Sequence, residues 1–443
     1  MITQRYGPLE LGFTTQFDFL WDDRGSGAPR NGSFWRPKPP SGWWALGGFA
    51  TDRHDNINGQ RGGLVARVAD EASGLLRAPV DYELIWTDRG SGADRDGAIW
   101  RPKPPAGYVA LGDLCWSGWS KPPLNAMACV RREYQGRQYI RDARVGEQIW
   151  NDDDSEADRD VSVWRVDAPA YPGVDDHKRL ILAPGLFTAY PAYYRGSPPP
   201  PSPVTWALDL PAVVEELSGP TRPVMDSHEE PPDGTMAVDR RVVVPYTMVN
   251  DTEKTEPWRV QNSPFYKLER RRFFQVVHYF DNRSGSEPDT GTRRVTTGVT
   301  KDQSTEFSRK TGMSVSVEAG VSALDLFSAK VTVSMSLELG YSQRFGISEF
   351  ASESNDQDLT VPAGAAGCLW SNTHVLVPIR KDGSQIGGGV LTVPTKSFTK
   401  GEYPPGSNVL HTNHADDRAF TTVDDIDIPS PTPAEADTPT AVR

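Results

Sequence analysis

Asp23, Ser26 and Arg30 set a carboxylate, a hydroxyl and a guanidinium close together along the chain, and Asp88, Ser91 and Arg95 repeat the set. Such groups make directed hydrogen bonds to sugar hydroxyls. Trp44 and Tyr108, with Trp43, Trp116 and Trp119, supply flat rings on which a sugar face can stack. That chemistry is recognition of a cell-surface glycan or protein receptor, and repetition would add avidity toward a target presenting several copies. The same residue types also serve architecture, because Asp caps turns, Arg spans to a neighbouring carboxylate and Trp fills a core. Both uses stay open at this point.

Catalytic chemistry has no comparable support. No GxSxG elbow, HExxH pair, phosphate loop or dinucleotide loop stands in a suitable context, so no catalytic residue is assigned. The glycines at 387–389 read as a bend or bulge between strands. Asp22, Asp23 and Asp152 to Asp154 cluster carboxylates without the spacing of a calcium loop. His411 and His414 lack a third and fourth zinc ligand nearby. No metal and no cofactor is therefore expected.

The polar sets sit inside three related blocks, WDDRGSGAPRNGSFW, WTDRGSGADRDGAIW and WNDDDSEADRDVSVW, which open at Trp21, Trp86 and Trp150 and close at Trp35, Trp100 and Trp164. A near-constant period implies one supersecondary unit used three times, each burying its apolar face against the others. Ser155, Ala157 and Arg159 continue the matching positions, while Asp154 and Glu156 replace glycines, making the third block the degenerate one. Each block reads as a hairpin with a polar turn and a Trp on each arm. Residues 1–212 are accordingly expected to form a three-repeat β-prism-like head, with each unit one sheet of about four strands. Eleven of the 13 tryptophans lie in this part.

Composition sets the remaining bounds. The 443 residues include 38 Pro and 40 Gly, and no long helical periodicity is present, so an all-β chain of two or three domains is expected. A formal charge of −12 argues against nucleic acid as a partner. Cys115, Cys129 and Cys368 are too sparse for a disulfide framework and read as buried thiols. The opening MITQRYGPLELGF lacks the features of a secretory signal, and no run approaches the roughly 20 apolar residues of a spanning helix. The chain is read as soluble when made and released by another route. Residues 213–234 read as a linker, 235–420 as a second β module and 421–443 as an acidic, Pro-rich flexible tail.

Residues 313–341 show the clearest alternation. Met313, Val315, Val317, Ala319, Val321 and Ala323 share one face, opposite Ser, Glu and Gly. Leu324, Leu326 and Phe327 make an apolar tip, and Val331, Val333, Met335, Leu337 and Leu339 resume the pattern. Each arm has about the 9–11 residues of a transmembrane β-strand. A half-buried strand pair on a sandwich core has the same period. In lipid a single hairpin would leave backbone groups unpaired, so insertion requires several chains to close a barrel. A target membrane and a homo-oligomer would then be partners. The flanks TTGVTKDQSTEFSRKTG and SQRFGISEFASES are expected to continue as long strands.

With its Ser/Thr-rich flanks, this segment resembles the pore-forming module of the aerolysin and epsilon-toxin/Mtx2 superfamily. The tryptophan blocks resemble the family of vacuolar protein sorting-associated protein 62. Together the resemblances imply a bacterial pore-forming toxin, of insecticidal type, with a receptor-binding head and an elongated aerolysin-like module that inserts a β-barrel. The rival expectations are a non-lytic carbohydrate or cell-surface binding protein with a rigid β stalk, and a carbohydrate-active enzyme with paired carboxylates in a cleft.

Overall fold

A computed structural model describes residues 1–168, 179–183, 185–192, 205–312 and 352–414. Among these the secondary structure is almost entirely antiparallel β, with two short α-helices. Each tryptophan block forms the expected hairpin: Phe17–Asp22 with Ser33–Pro37, Asp81–Thr87 with Gly97–Lys103, and Arg144–Asn151 with Ser162–Asp167. A third strand completes each sheet, namely Phe49–Thr51, Leu114–Ser117 and Phe187–Tyr190.

The units are not single four-stranded sheets. The chain before, between and after the hairpins builds a second tier of three small sheets, of which the first contains Thr3–Tyr6, Leu9–Thr14, Gly63–Val68 and Trp44–Ala45. The two tiers have separate cores: Leu9, Leu11, Phe13, Leu64 and Ala66 of the first small sheet pack in one, and Trp21, Trp86 and Trp150 in the other. A register shift lies beside the first Trp of every hairpin, at Phe19/Trp21, opposite Ile99/Trp100, and at Gln148/Trp150. Such bulges re-aim a side chain, and here they accompany Trp21, Trp86 and Trp150 turned to a shared interior, each fully buried.

The second half holds a five-stranded sheet in the order Val213–Glu216, Ala237–Pro245, Phe265–Asp281, Ala366–Ile379 and Leu391–Tyr403. Residues 213–234 are thus more than a connection. Val213–Glu216 is the edge strand of that sheet, Met225 packs with Phe274 and Trp370, and the Asp233 carboxylate accepts from the Val276 amide. A smaller sheet pairs Asp289–Thr297 with Glu353–Val361, and Leu410–Asn413 lies on the far side.

One apolar core runs through both halves, joining Tyr6, Leu9 and Phe13 to Val242, Tyr246, Phe265 and Leu268. Phe13 meets Tyr246 edge-on at 4.8 Å between ring centroids. Glu256 reinforces the joint by accepting from the Gly62 amide, Arg61 and the Tyr246 hydroxyl.

The flank before residue 313 corrects an expectation. Lys301–Thr311 is an α-helix where a long strand was expected. Thr300 and Gln303 form a reciprocal capping box, and Gly312 ends the helix at φ 71°. Phe307 anchors the helix by joining the common core. The insertion-hairpin residues from Met313 to Leu339 lie outside the described residues, as does the tail 421–443.

Candidate functional site

The repeated polar residues converge with the tryptophans around a pseudo-threefold axis. Trp21, Trp86 and Trp150 meet pairwise at 5.2–5.5 Å between centroids with interplanar angles of 69–75°. This edge-to-face packing sets each ring's positive edge against a neighbour's negative face. Each indole N–H then donates to the next unit: Trp86 to Asp152 at 2.8 Å, Trp150 to Asp23 at 2.9 Å, and Trp21 to the Arg95 carbonyl at 2.7 Å, shared with Asp88 at 3.1 Å. The order is cyclic, with the third unit returning to the first.

The second carboxylate oxygens are occupied as well. Asp23 accepts from the Gly32 amide and contacts His54 Nε2, Asp88 accepts from Trp119 Nε1 at 2.7 Å, and Asp152 accepts from the Val161 amide at 2.8 Å. Burial pushes the Asp152 carboxyl up to about 6, against the lowering effect of its two N–H donors. Ser26, Ser91 and Ser155 each accept from the amide two residues on and are buried. Arg30 reaches back to Gln148 of the third unit, and the Arg95 guanidinium lies 5.0 Å from the Phe19 ring centroid of the first.

Asp23, Ser26, Arg30, Asp88, Ser91 and Arg95 therefore come together, and the contacts they make run within and between repeats. Trp44 and Tyr108 are not brought to that centre. Trp44 lies half-buried in the second tier, and the buried Tyr108 donates its hydroxyl to the Gly74 carbonyl at 2.5 Å. His54 and Trp119 are the members sequence reasoning did not connect to the carboxylates. They hold the same register position in consecutive repeats, a signal present in the 65-residue spacing. Trp119, 40% exposed and stacked under Arg89 at 4.2 Å, is the aromatic member of this group that reaches solvent.

The repeats differ in ways the backbone explains. Gly25 and Gly90 stand at φ 85° and 87°, and Gly27 and Gly92 at 75° and 71°. In the third turn Asp154 and Glu156 occupy the same left-handed conformation at 59° and 55°. The turns are also stitched to one another, by Asp94 N–H to the Arg24 carbonyl and Asp158 N–H to the Arg89 carbonyl, both 2.7 Å. The corresponding residue of the first turn is Pro29, which has no N–H, so the seam between units three and one cannot form this bond.

The tryptophans on the second arms differ among repeats in a similar way. Trp35 and Trp164 donate to Ser33 and Ser162. Trp100 is buried with its N–H unpaired among the described residues, because the matching residue is Ala98.

The other candidates resolve simply. Among the described residues no group of three or more His, Cys, Asp or Glu could hold a metal ion. His411 contacts Gln357, and His414 contacts Asp358. All three cysteines are buried free thiols, and burial pushes Cys129 and Cys368 up to about 12. No helix among the described residues is long and apolar enough to cross a membrane.

Comparison with known proteins gives separate matches for the two halves. Residues 3–187 match the family model of vacuolar protein sorting-associated protein 62, and residues 238–389 match that of the insecticidal crystal toxin, P42. The crystal structure of GNIP1Aa from Chromobacterium piscinae is similar at 27% identity, covering 42% of this chain and 34% of that one, with a TM-score of 0.34. The match thus spans about a third of that protein's length. The crystal structure of Cry35Ab1 is similar at 12% identity over 90% of this chain and 91% of that one, with a TM-score of 0.32. No curated protein sequence matches the chain. The expected resemblance of the second half to a toxin family holds at the level of insecticidal crystal toxins.

Proposed function

We propose that the chain is a pore-forming toxin of insecticidal type, which binds a cell-surface receptor or glycan through residues 1–212, oligomerises and inserts residues 313–341 as part of a transmembrane β-barrel. The observation that carries this reading is the register of the smaller sheet. Thr297 lies opposite Glu353, so the chain leaves that sheet and re-enters it at the same end. The excursion between them contains the alternating segment with its apolar tip. Similarity of residues 238–389 to the insecticidal crystal toxin model supports the toxin role.

The test uses single cysteines introduced in turn at Val331, Thr332, Val333 and Ser334, each carrying an environment-sensitive fluorophore. The native thiols are buried and held protonated, which keeps them out of the labelling reaction. Dye release from target-cell or lipid vesicles, with lipid-borne quenching that alternates between odd and even positions, is the expected result. Vesicle binding without release and without alternation would sink the proposal. It would favour the non-lytic surface binder, a reading supported by the continuous core that fixes the two halves to each other.

A further inference from the structure

The outer face of the five-stranded sheet carries a concentration of cations that the proposed function does not use. On Phe265–Asp281, Lys267, Glu269 and Arg271 alternate and so point to one face. Arg241 is the register partner of Glu269 on the neighbouring strand, and Ile379, two residues before Lys381, is the partner of Lys267. These side chains line one open concavity.

Within it Glu269 is buried, and its two oxygens fix two guanidiniums. Arg241 Nε donates to one at 2.8 Å, and Arg271 donates to the other through Nε at 2.9 Å and Nη2 at 2.8 Å. Glu215 takes a further Arg241 N–H at 3.3 Å. Lys267 and Lys381 are exposed and have no carboxylate partner among the described residues. Arg380 also lines the concavity and is held by Asp251 and Glu253, so five cations stand against four carboxylates, a local charge of +1 on a chain whose formal charge is −12.

We infer that this concavity is an oxyanion site for a phosphate monoester group. Two pre-oriented guanidiniums and two exposed ammonium groups supply donors from several directions. That arrangement suits the three free oxygens of a phosphate monoester better than the two coplanar oxygens of a carboxylate. The buried Glu269 acts as a positioning residue, holding Arg241 and Arg271 in place before a ligand arrives. Free phosphate and the headgroup of phosphatidic acid share this chemistry. A single bowl on an acidic protein lacks the extended basic stripe that a nucleic-acid backbone requires.

The test titrates the full chain with inorganic phosphate by calorimetry at low salt, then compares sedimentation with phosphatidylcholine vesicles lacking or containing phosphatidic acid. The double variant Lys267→Gln/Lys381→Gln is expected to weaken phosphate binding by about tenfold or more, equivalent to roughly 1.4 kcal/mol. The control Lys103→Gln/Lys121→Gln removes equal charge from lysines paired with Asp81 and should leave binding intact. Vesicle binding that needs phosphatidic acid and is lost in the Lys267/Lys381 variant identifies the lipid source. Phosphate binding without vesicle discrimination identifies the free anion. Absence of phosphate binding, or equal loss in both double variants, overturns the site whether or not the chain forms pores.

Discussion

The tryptophan hub and the outer face of the five-stranded sheet both concentrate charged side chains on β-strands, yet they direct them oppositely. In the hub, Asp23, Asp88 and Asp152 are nearly inaccessible, and each accepts from the indole of another repeat. On the sheet, Glu269 is buried while Lys267 and Lys381 face solvent. Triplication in the hub marks what a repeat needs to join its neighbour. A charge that occurs once and faces water has no such duty and is freer to meet a partner.

The largest expected effect separates the two regions by stability. Trp86→Ala removes a fully buried ring from the three-way stack and should cost about 3–5 kcal/mol in chemical denaturation. Lys267→Gln/Lys381→Gln should stay within about 0.5 kcal/mol of the parent protein. Comparable losses in both would break the distinction between hub and face.

Acid titration sharpens it next. Asp152 titrates near 6 in the folded chain and at the lower, ordinary aspartate value when unfolded, so between those values the folded state binds more protons. Its contribution to stability is complete below the unfolded value and is lost as pH rises toward 6, on the order of 1–3 kcal/mol. Asp152→Asn should flatten the slope of denaturation midpoint against pH in that window.

Two smaller changes exploit the differences among repeats. Ala98→Ser places beside Trp100 the acceptor that Ser33 and Ser162 give Trp35 and Trp164, and should stabilise by about 1 kcal/mol. Glu156→Gly relieves a left-handed residue and should gain about 0.5–1 kcal/mol in thermal unfolding.

Much of the hub was legible in the sequence. The period, the hairpins, the Trp on each arm and the degenerate third turn all follow from residue types and spacing. The pairing of each indole with the next unit's carboxylate was not legible, because a linear period fixes neither the order of units around an axis nor their stagger. Asp23, Ser26 and Arg30 therefore looked like ligand contacts as readily as joints. The helix Lys301–Thr311 was written locally, in Thr300, Gln303 and Gly312, but its hydroxyl-rich composition favoured a strand. The charged bowl was hidden for another reason. Arg241, Lys267 and Lys381 are far apart in sequence, and only strand register places them together.

Pro29 gives the hub a direction. Units one and two, and two and three, are consecutive in the chain, and their turns are also fastened by an amide. Units three and one have neither link. The ring is therefore a bracelet with a clasp, held there by Trp150 on Asp23 and Arg30 on Gln148. Of the two left-handed residues in the third turn, Asp154 faces the clasp, its carbonyl approaching Gly27, while the Glu156 carbonyl approaches Gly90 at the stitched joint. Among the described residues the clasp is thus the one joint of the ring fastened by side chains alone, through the Trp150 indole packed on Trp21 and Phe34, where the other two joints add a backbone rivet.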